Sequence, residues 1–211
     1  IDQHFIFPIL RSLCSLAILI FHLRSSFIPH GFLAVDVFIV LSGYYSSQSL
    51  SSSSSLFHFL SRRFSRLLPL YSFILFGTIH VGEIILTSQE YSALREDSLW
   101  SLSFLSNMKP LLSLIDSNYF TEIAHFHPLS HTWSLSLEIQ FLLLISFFPS
   151  LLTRRSITLS LLTFSFIFYL SFDRKAHFGS LPARLWQFIL GNLAKTENKK
   201  ITAFVGILNC K

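Results

Sequence analysis

Charge is scarce in this chain. Only 13% of its 211 residues are Asp, Glu, Lys or Arg, where a soluble globular domain carries about 25%, which argues against an ordinary water-soluble fold. Cysteine is scarcer still: Cys14 and Cys210 stand at opposite ends of the chain and cannot build the dense disulfide framework of a small secreted domain. With 7 Gly and 7 Pro, collagen-like and low-complexity classes fail. Apolar surface, in contrast, is abundant. Hydrophobic residues make up 51% and aromatics 16%, with 24 Phe, which excludes a chain too polar to fold. The net charge of +5 would suggest nucleic acid in a polar protein, but here the basic residues form short clusters between apolar runs, as in membrane proteins. The expected partner is therefore the lipid bilayer and not nucleic acid. No linker-like break divides the chain, so residues 1–211 are expected to form a single domain.

No Lys, Arg, Asp or Glu occurs between Asp36 and Arg62, from 67 to 82, from 139 to 153 or from 156 to 172. A helix needs about 20 mainly apolar residues to cross a hydrocarbon core of about 30 Å. Crossings are therefore expected at 9–28, 32–50, 67–86, 132–152 and 156–172, with shorter ones around 184–194 and 200–210. The fold class is all-α, a multi-pass transmembrane helical bundle. Segment 98–115 mixes Trp100, Leu102, Phe104 and Leu105 with Asn107, Lys109 and Pro110, and reads as an interfacial or re-entrant piece. A signal peptide would explain one apolar run but not five.

The basic clusters orient the bundle. Arg62, Arg63 and Arg66, then Arg154 and Arg155, then Lys195, Lys199 and Lys200 fall on one side if 98–115 does not cross, and that side should be cytoplasmic. The N-terminus lies there too, 87–130 is external, and the loop Asp173-Arg174-Lys175 is a mild exception. The run Ser51 to Ser55 reads as a flexible spacer. No internal repeat is found.

Charged groups are costly in a bilayer, so those inside apolar runs point to function. Arg11 and His22 are eleven positions apart, which puts them on one helix face and about 16 Å apart along it. An arginine there can pair with phosphate, and a histidine can take a proton from a hydroxyl; equally, Arg11 can be a snorkelling anchor and His22 a helix-bridging hydrogen-bond group. Asp36 stands at the head of a strongly apolar run and wants a basic partner, His22 or Arg24 being nearest, unless it simply caps the second helix. Ser42 and Gly43 allow close approach of a backbone or ligand. Arg63 and Arg66, one helical turn apart, can grip an anionic group together or serve as a positive-inside cluster facing lipid phosphates. His131, Ser134 and Glu138 follow at i, i+3 and i+7, a single stripe of a helix entering the membrane, with Trp133 at the interface.

Two familiar chemistries find little support. A serine hydrolase would need a strained nucleophile elbow, which the sequence lacks. A zinc site would draw on His125, His127 and His131, but no H-E-x-x-H or cysteine pair accompanies them, so no metal is expected and these histidines read as polar groups at the mouth of a site.

Five segments in order resemble the acyltransferase 3 family, multi-pass membrane enzymes that acylate hydroxyls. They are Arg11 followed after ten residues by His22, Gly-Phe-Leu-Ala-Val-Asp-Val-Phe-Ile-Val-Leu-Ser-Gly-Tyr at 31–44, and Arg-Arg-Phe-Ser-Arg-Leu-Leu-Pro at 62–69. His-Pro-Leu-Ser-His-Thr-Trp-Ser-Leu-Ser-Leu-Glu-Ile-Gln-Phe at 127–141 and Leu-Pro-Ala-Arg-Leu-Trp-Gln-Phe-Ile-Leu-Gly at 181–191 complete the set. The serine- and phenylalanine-rich style resembles the nematode branch of that family. The resemblance implies a catalytic His22, with Asp36, Ser42 and Gly43 on its second helix, Arg63 and Arg66 on the acyl-donor side, and Arg184 and Trp186 in a later element. It also implies His131, Ser134 and Glu138 on a Trp-Ser-Leu-x-x-Glu helix. Ala34 and Asn118 depart from its pattern, which has Gly and Asp there. Members have about ten crossings, and this chain, beginning at Ile1, is expected to be a fragment or truncated product.

The expected reaction is acyl transfer from a thioester, acyl-CoA, with no bound cofactor, to a hydroxyl of a carbohydrate, lipid or other acceptor. Arg63, Arg66 and Arg11 would hold donor phosphates, His22 would deprotonate the acceptor, Asp36 would orient the imidazole, and Glu138 would form a second polar wall of the cavity with Ser42, His131, Trp133 and Ser134 nearby. The alternatives are a non-catalytic relative that binds or moves lipids, and an ion-coupled transporter relaying protons through Asp36 and Glu138.

Overall fold

A computed structural model describes residues 3–24, 26–31, 33–51, 56–109, 128–171 and 179–209. Every regular element among them is helical: α1 (Gln3–Leu23), α2 (Leu33–Ser51), α3 (Leu56–Ile85), α4 (Ser88–Leu102), α5 (Trp133–Phe147), the short α6 (Ser150–Thr153), α7 (Arg155–Ser171) and α8 (Leu181–Asn209), with a 3-10 turn, Ser130–Thr132, before α5. The all-α expectation holds. The chain divides into two compact units, one of Ile1–Ser51 with Trp186–Lys211, the other of Ser52–Leu185.

In the first unit α1 and α2 pack as a helical hairpin. Backbone bonds from Phe27 N to Arg24 O (3.1 Å), Gly31 N to Ile28 O (3.0 Å) and Ala34 N to Gly31 O (3.1 Å) close the turn between them. Gly31 sits so tightly on α1 that an added Cβ would lie 2.6 Å from Phe21 Cβ and 3.0 Å from Ala17 O. Glycine also governs the packing of α2 on the part of α8 belonging to this unit. A Cβ on Gly43 would overlap the Phe188 carbonyl, and one on Gly191 would overlap the Val40 carbonyl. Small residues at such crossings let two backbones touch, the usual way membrane helices gain dispersion contact where no hydrophobic force drives them together.

The second unit gathers around Leu75, Leu94 and Leu129, with Tyr71, Ile79, Leu86 and Tyr91 packed against them. The helix α4 begins with a capping box: Thr87 N donates to Glu90 Oε2 at 3.0 Å and Glu90 N to Thr87 Oγ1 at 3.5 Å, satisfying two of the donors a helix start leaves open. It ends in a Schellman motif, with Leu105 N bonded to Trp100 O (3.0 Å) and Phe104 N to Ser101 O (3.0 Å). Phe104 takes the left-handed seat at φ 54° that glycine normally fills. Its ring stacks on Tyr71 at 5.4 Å between centroids, an aromatic contact worth about 0.5–1.5 kcal/mol that offsets the backbone strain. Segment 98–109 is therefore the end of α4 and a tight turn folded onto α5, while 110–115 lies outside the described residues.

The expected crossings need correction in four places; the one expected over 9–28 ends with α1 at Leu23, ahead of the turn. The helix expected over 132–152 stops at Phe147, because Pro149 disfavours helical backbone at the residue before it and Phe148 adopts φ −127°, ψ 65°. Thr158 Oγ1 then ties α7 back, donating to Leu151 O at 2.8 Å. The segments 184–194 and 200–210 are not two spans: α8 runs unbroken through both to Asn209, since Lys and Glu are good helix formers and a charged stretch need not be a loop. And α3 starts at Leu56, so Arg62, Arg63 and Arg66 are inside it and not ahead of it. Residues 57–85 of α3, with an 18-residue stretch at a mean hydropathy of 1.5, are long and apolar enough to cross a membrane. Phe73 and Ile84 on that helix are 77% and 84% exposed, as lipid-facing side chains would be. The apolar helices 7–23, 33–46, 133–147 and 155–171 are shorter; 17 residues reach only about 25 Å.

Candidate functional site

In the first unit α1 carries Arg11 and His22 on one continuous helix, despite Pro8 inside it. Pro8 removes one helical bond near the start, and Ser12 Oγ donates to its carbonyl at 3.0 Å. Arg11 is exposed, its guanidinium carbon 5.9 Å from the Phe38 ring centre and 5.6 Å from that of Tyr45. Phe38 and Tyr45 bracket Ser42 at four and three residues' distance on α2, so Ser42 shares their face; it is buried, at 7% exposure. His22 lies in the last turn of α1 and Asp36 in the first turn of α2. The Gly31 turn thus holds the two at the same end of the hairpin, with His22 exposed and Asp36 half-buried. The ring of Phe21 lies edge-on to the imidazole at 5.4 Å.

In the second unit Arg63 and Arg66 are one turn apart on α3, half-buried and exposed respectively. His131 does not start an α-helical stripe, because it sits in the 3-10 turn before α5; Ser134 Oγ donates to its carbonyl at 3.3 Å. Trp133, Ser134 and Glu138 are half-buried on α5. Trp133 receives the guanidinium of Arg184 over its ring at 6.0 Å. At 6% exposure this arginine is sheltered, and a desolvated cation–π contact is worth about 2 kcal/mol. The two late motifs therefore meet through Trp133 and Arg184.

A polar cluster beside them was not expected. Asn107, 1% exposed, exchanges amide hydrogen bonds with Gln140 on α5 and donates to Gly179 O at 2.9 Å. Gln140 Nε2 also donates to Phe104 O at 2.9 Å. Ser101, Ser106, Thr132 and Ser136 form a hydroxyl chain with separations of 2.8–2.9 Å. Gln140 lies within the segment 127–141, so its place in a motif was the available signal; Asn107 showed only as an interruption of an apolar run. Lys109 pairs with Asp97 and, at 3.3 Å, with Glu96, securing the turn after α4. Among the described residues no group of three His, Cys, Asp or Glu could hold a metal ion; His125, His127 and Asn118 lie outside them, as do the loop 173–175 and residues 52–55.

A family model described as an acyltransferase domain matches residues 7–208. A protein of Staphylococcus aureus strain COL, provisionally named an O-acetyltransferase, is 33% identical over 156 residues, covering 71% of this chain and 25% of that protein. The O-acetyltransferase OatA of Staphylococcus aureus strain NCTC 8325 is 33% identical over 155 residues, covering 68% of this chain and 24% of that protein. The chain thus spans about a quarter of the length of these curated relatives. No solved structure matches it. The match of the family model extends over all five motif segments, and the chain belongs to the acyltransferase 3 family of membrane proteins.

Proposed function

We propose that this chain is part of a multi-pass membrane O-acyltransferase, its N-terminus cytoplasmic and residues 1–211 contributing to one membrane domain. It moves an acyl group, other than an amino-acyl group, from acyl-CoA to a hydroxyl of a carbohydrate, lipid or other acceptor. The names of the relatives, O-acetyltransferases, support acetyl as the group and oxygen as the acceptor atom. The observation that carries the reading is the placement of Arg11 and His22 on one unbroken helix, on the same face and about 16 Å apart. An anion-binding group and a base so arranged suit a donor whose phosphates lie far from its thioester.

In this reading the acceptor hydroxyl attacks the thioester carbonyl carbon as His22 takes its proton. The C–S bond breaks, and the leaving thiolate recovers the proton from the imidazolium. Asp36, at the same end of the hairpin, orients the ring. Ser42 lines the face of α2 next to Arg11. In the second unit Arg63 and Arg66 take anionic groups of the donor, and Glu138, with His131, Trp133 and Ser134, supplies a polar wall.

The test is acyl transfer by the purified full-length protein, read as CoA release with a panel of hydroxyl acceptors. His22→Ala should abolish release while leaving membrane insertion intact, and Arg63→Gln should raise the KM for donor by about tenfold. An unchanged rate in His22→Ala overturns the assignment. No CoA release from the wild type with any acceptor, alongside measurable lipid binding, favours a non-catalytic lipid-binding relative instead.

A further inference from the structure

A second cation shares the aromatic platform on which Arg11 rests. Lys195, half-buried on α8, holds its ammonium 4.8 Å from the centre of the Tyr44 ring and donates to the Tyr44 hydroxyl at 3.3 Å. The rings of Tyr44 and Tyr45 meet edge to face at 5.8 Å, and Arg11 lies over Tyr45 at 5.6 Å. Phe7, one turn before Arg11, packs on Tyr44 at 4.7 Å. Cation, ring, ring and cation thus follow one another through contacts all under 6 Å within the first unit. The near-touching backbones at Gly43 and Gly191 make this possible: Lys195 is one turn beyond Gly191 and Tyr44 adjoins Gly43, so the helix crossing itself delivers the ammonium to the ring.

Among the described residues, neither cation has a carboxylate within 4.0 Å. Among the described residues Arg11 lies on aromatic faces, which leave N–H donors to offer, and Lys195 donates to the Tyr44 hydroxyl with further N–H groups to spare. Ring faces fix a cation without neutralising it, so the arrangement holds two positive charges in place while leaving them able to bind an anion. We propose that Arg11 and Lys195 form a phosphate-binding site, the guanidinium and the ammonium taking separate phosphoryl groups of one ligand, with Tyr44 as the positioning residue that seats Lys195. The ligand is a multiply charged phosphate compound, either the nucleotide end of the acyl donor or the headgroup of an anionic lipid. The donor source rests on the function proposed above; the site does not.

Full-length protein in phosphatidylcholine nanodiscs separates the sources. Two probes are titrated: coenzyme A in solution, and phosphatidylinositol bisphosphate incorporated into the disc. Lys195→Gln should weaken the binding of one probe by about tenfold, and Lys195→Arg should retain it. Tyr44→Phe, which keeps the ring and deletes the hydroxyl, should weaken it by a smaller factor. Loss confined to coenzyme A identifies the donor. Loss confined to the lipid, including the case in which the wild type binds no coenzyme A and the acyl-transfer reading fails, identifies the headgroup. Unchanged binding of both probes in Lys195→Gln and in the Arg11→Gln, Lys195→Gln double variant overturns the site. A size-exclusion profile matching the wild type guards against misfolding, and Lys195→Arg serves as the folded comparison.

Discussion

The side-chain amides of Asn107 and Gln140 face each other and exchange both hydrogen bonds: Asn107 Nδ2 donates to Gln140 Oε1 at 3.1 Å, and Gln140 Nε2 donates to Asn107 Oδ1 at 2.7 Å. Each amide also reaches a backbone carbonyl, Gly179 O from Asn107 and Phe104 O from Gln140. One pair of side chains therefore closes the turn after α4 onto α5 and gathers the segment leading into α8.

Removing either member should be costly, because it strands the other in a sheltered place. Asn107→Leu and Gln140→Leu should each destabilise by about 1–3 kcal/mol. The double variant should lose less than the sum, with a coupling of about 1 kcal/mol. Thermal unfolding of the four proteins in one detergent measures the cycle, and strict additivity would show that the two amides act separately.

Glycine positions in these helices should respond in opposite ways to the same change. Gly43→Ala puts a methyl into the Phe188 carbonyl and should destabilise by about 1–3 kcal/mol, since a backbone cannot move aside as a side chain can. Gly77→Ala, where an added Cβ meets nothing within 4 Å, should stabilise α3 by up to about 1 kcal/mol. The ranking of the two melting temperatures against the wild type checks both; equal shifts would contradict the packing at Gly43.

The start of α4 should be sensitive to acid. Hydrogen bonds from the Thr87 hydroxyl and from the Thr87 backbone N–H hold the Glu90 carboxyl below its ordinary pKa. A carboxyl lowered in the folded state contributes fully above its unfolded value, near pH 4.3, and loses that contribution as pH falls through the lower folded value. Hydrogen exchange at the first-turn amides of α4 should therefore quicken below about pH 4, relative to the intrinsic rate. In Glu90→Gln the acid dependence should vanish, and Thr87→Ala should weaken protection at every pH by about 1 kcal/mol of capping. Acid sensitivity that survives in Glu90→Gln would place its origin elsewhere.

Local spacing made much of the candidate site legible. Arg11 and His22 fall on one helix face because eleven residues nearly complete three turns, and nothing beyond the helix is needed to see it. Arg63 and Arg66 follow the same rule. The ends of helices were harder to read: Phe148 breaks α5 because of the proline after it, and the charges from Lys195 onward look like a loop although they extend a helix. Long-range pairings left almost no trace. Nothing near Lys195 names Tyr44, and nothing near Asn107 names Gln140, since each contact depends on where another helix lies. Counting puts His131 on the stripe of Ser134 and Glu138, but it sits in a 3-10 turn, whose different pitch shifts every residue before Trp133 around the axis.

Phe104 adds a constraint of another kind. A left-handed residue admits glycine for its lack of a side chain, but here a phenyl ring is held by Tyr71, 33 positions earlier in the chain. The position can thus accept two unlike residues, one by absence and one by contact, and should reject the β-branched residues between them in size. Tolerance there is set by a partner on another helix: if Tyr71 were lost, the backbone would be left with glycine as its one comfortable occupant, and a turn that looks like surface loop would inherit the variability of a core.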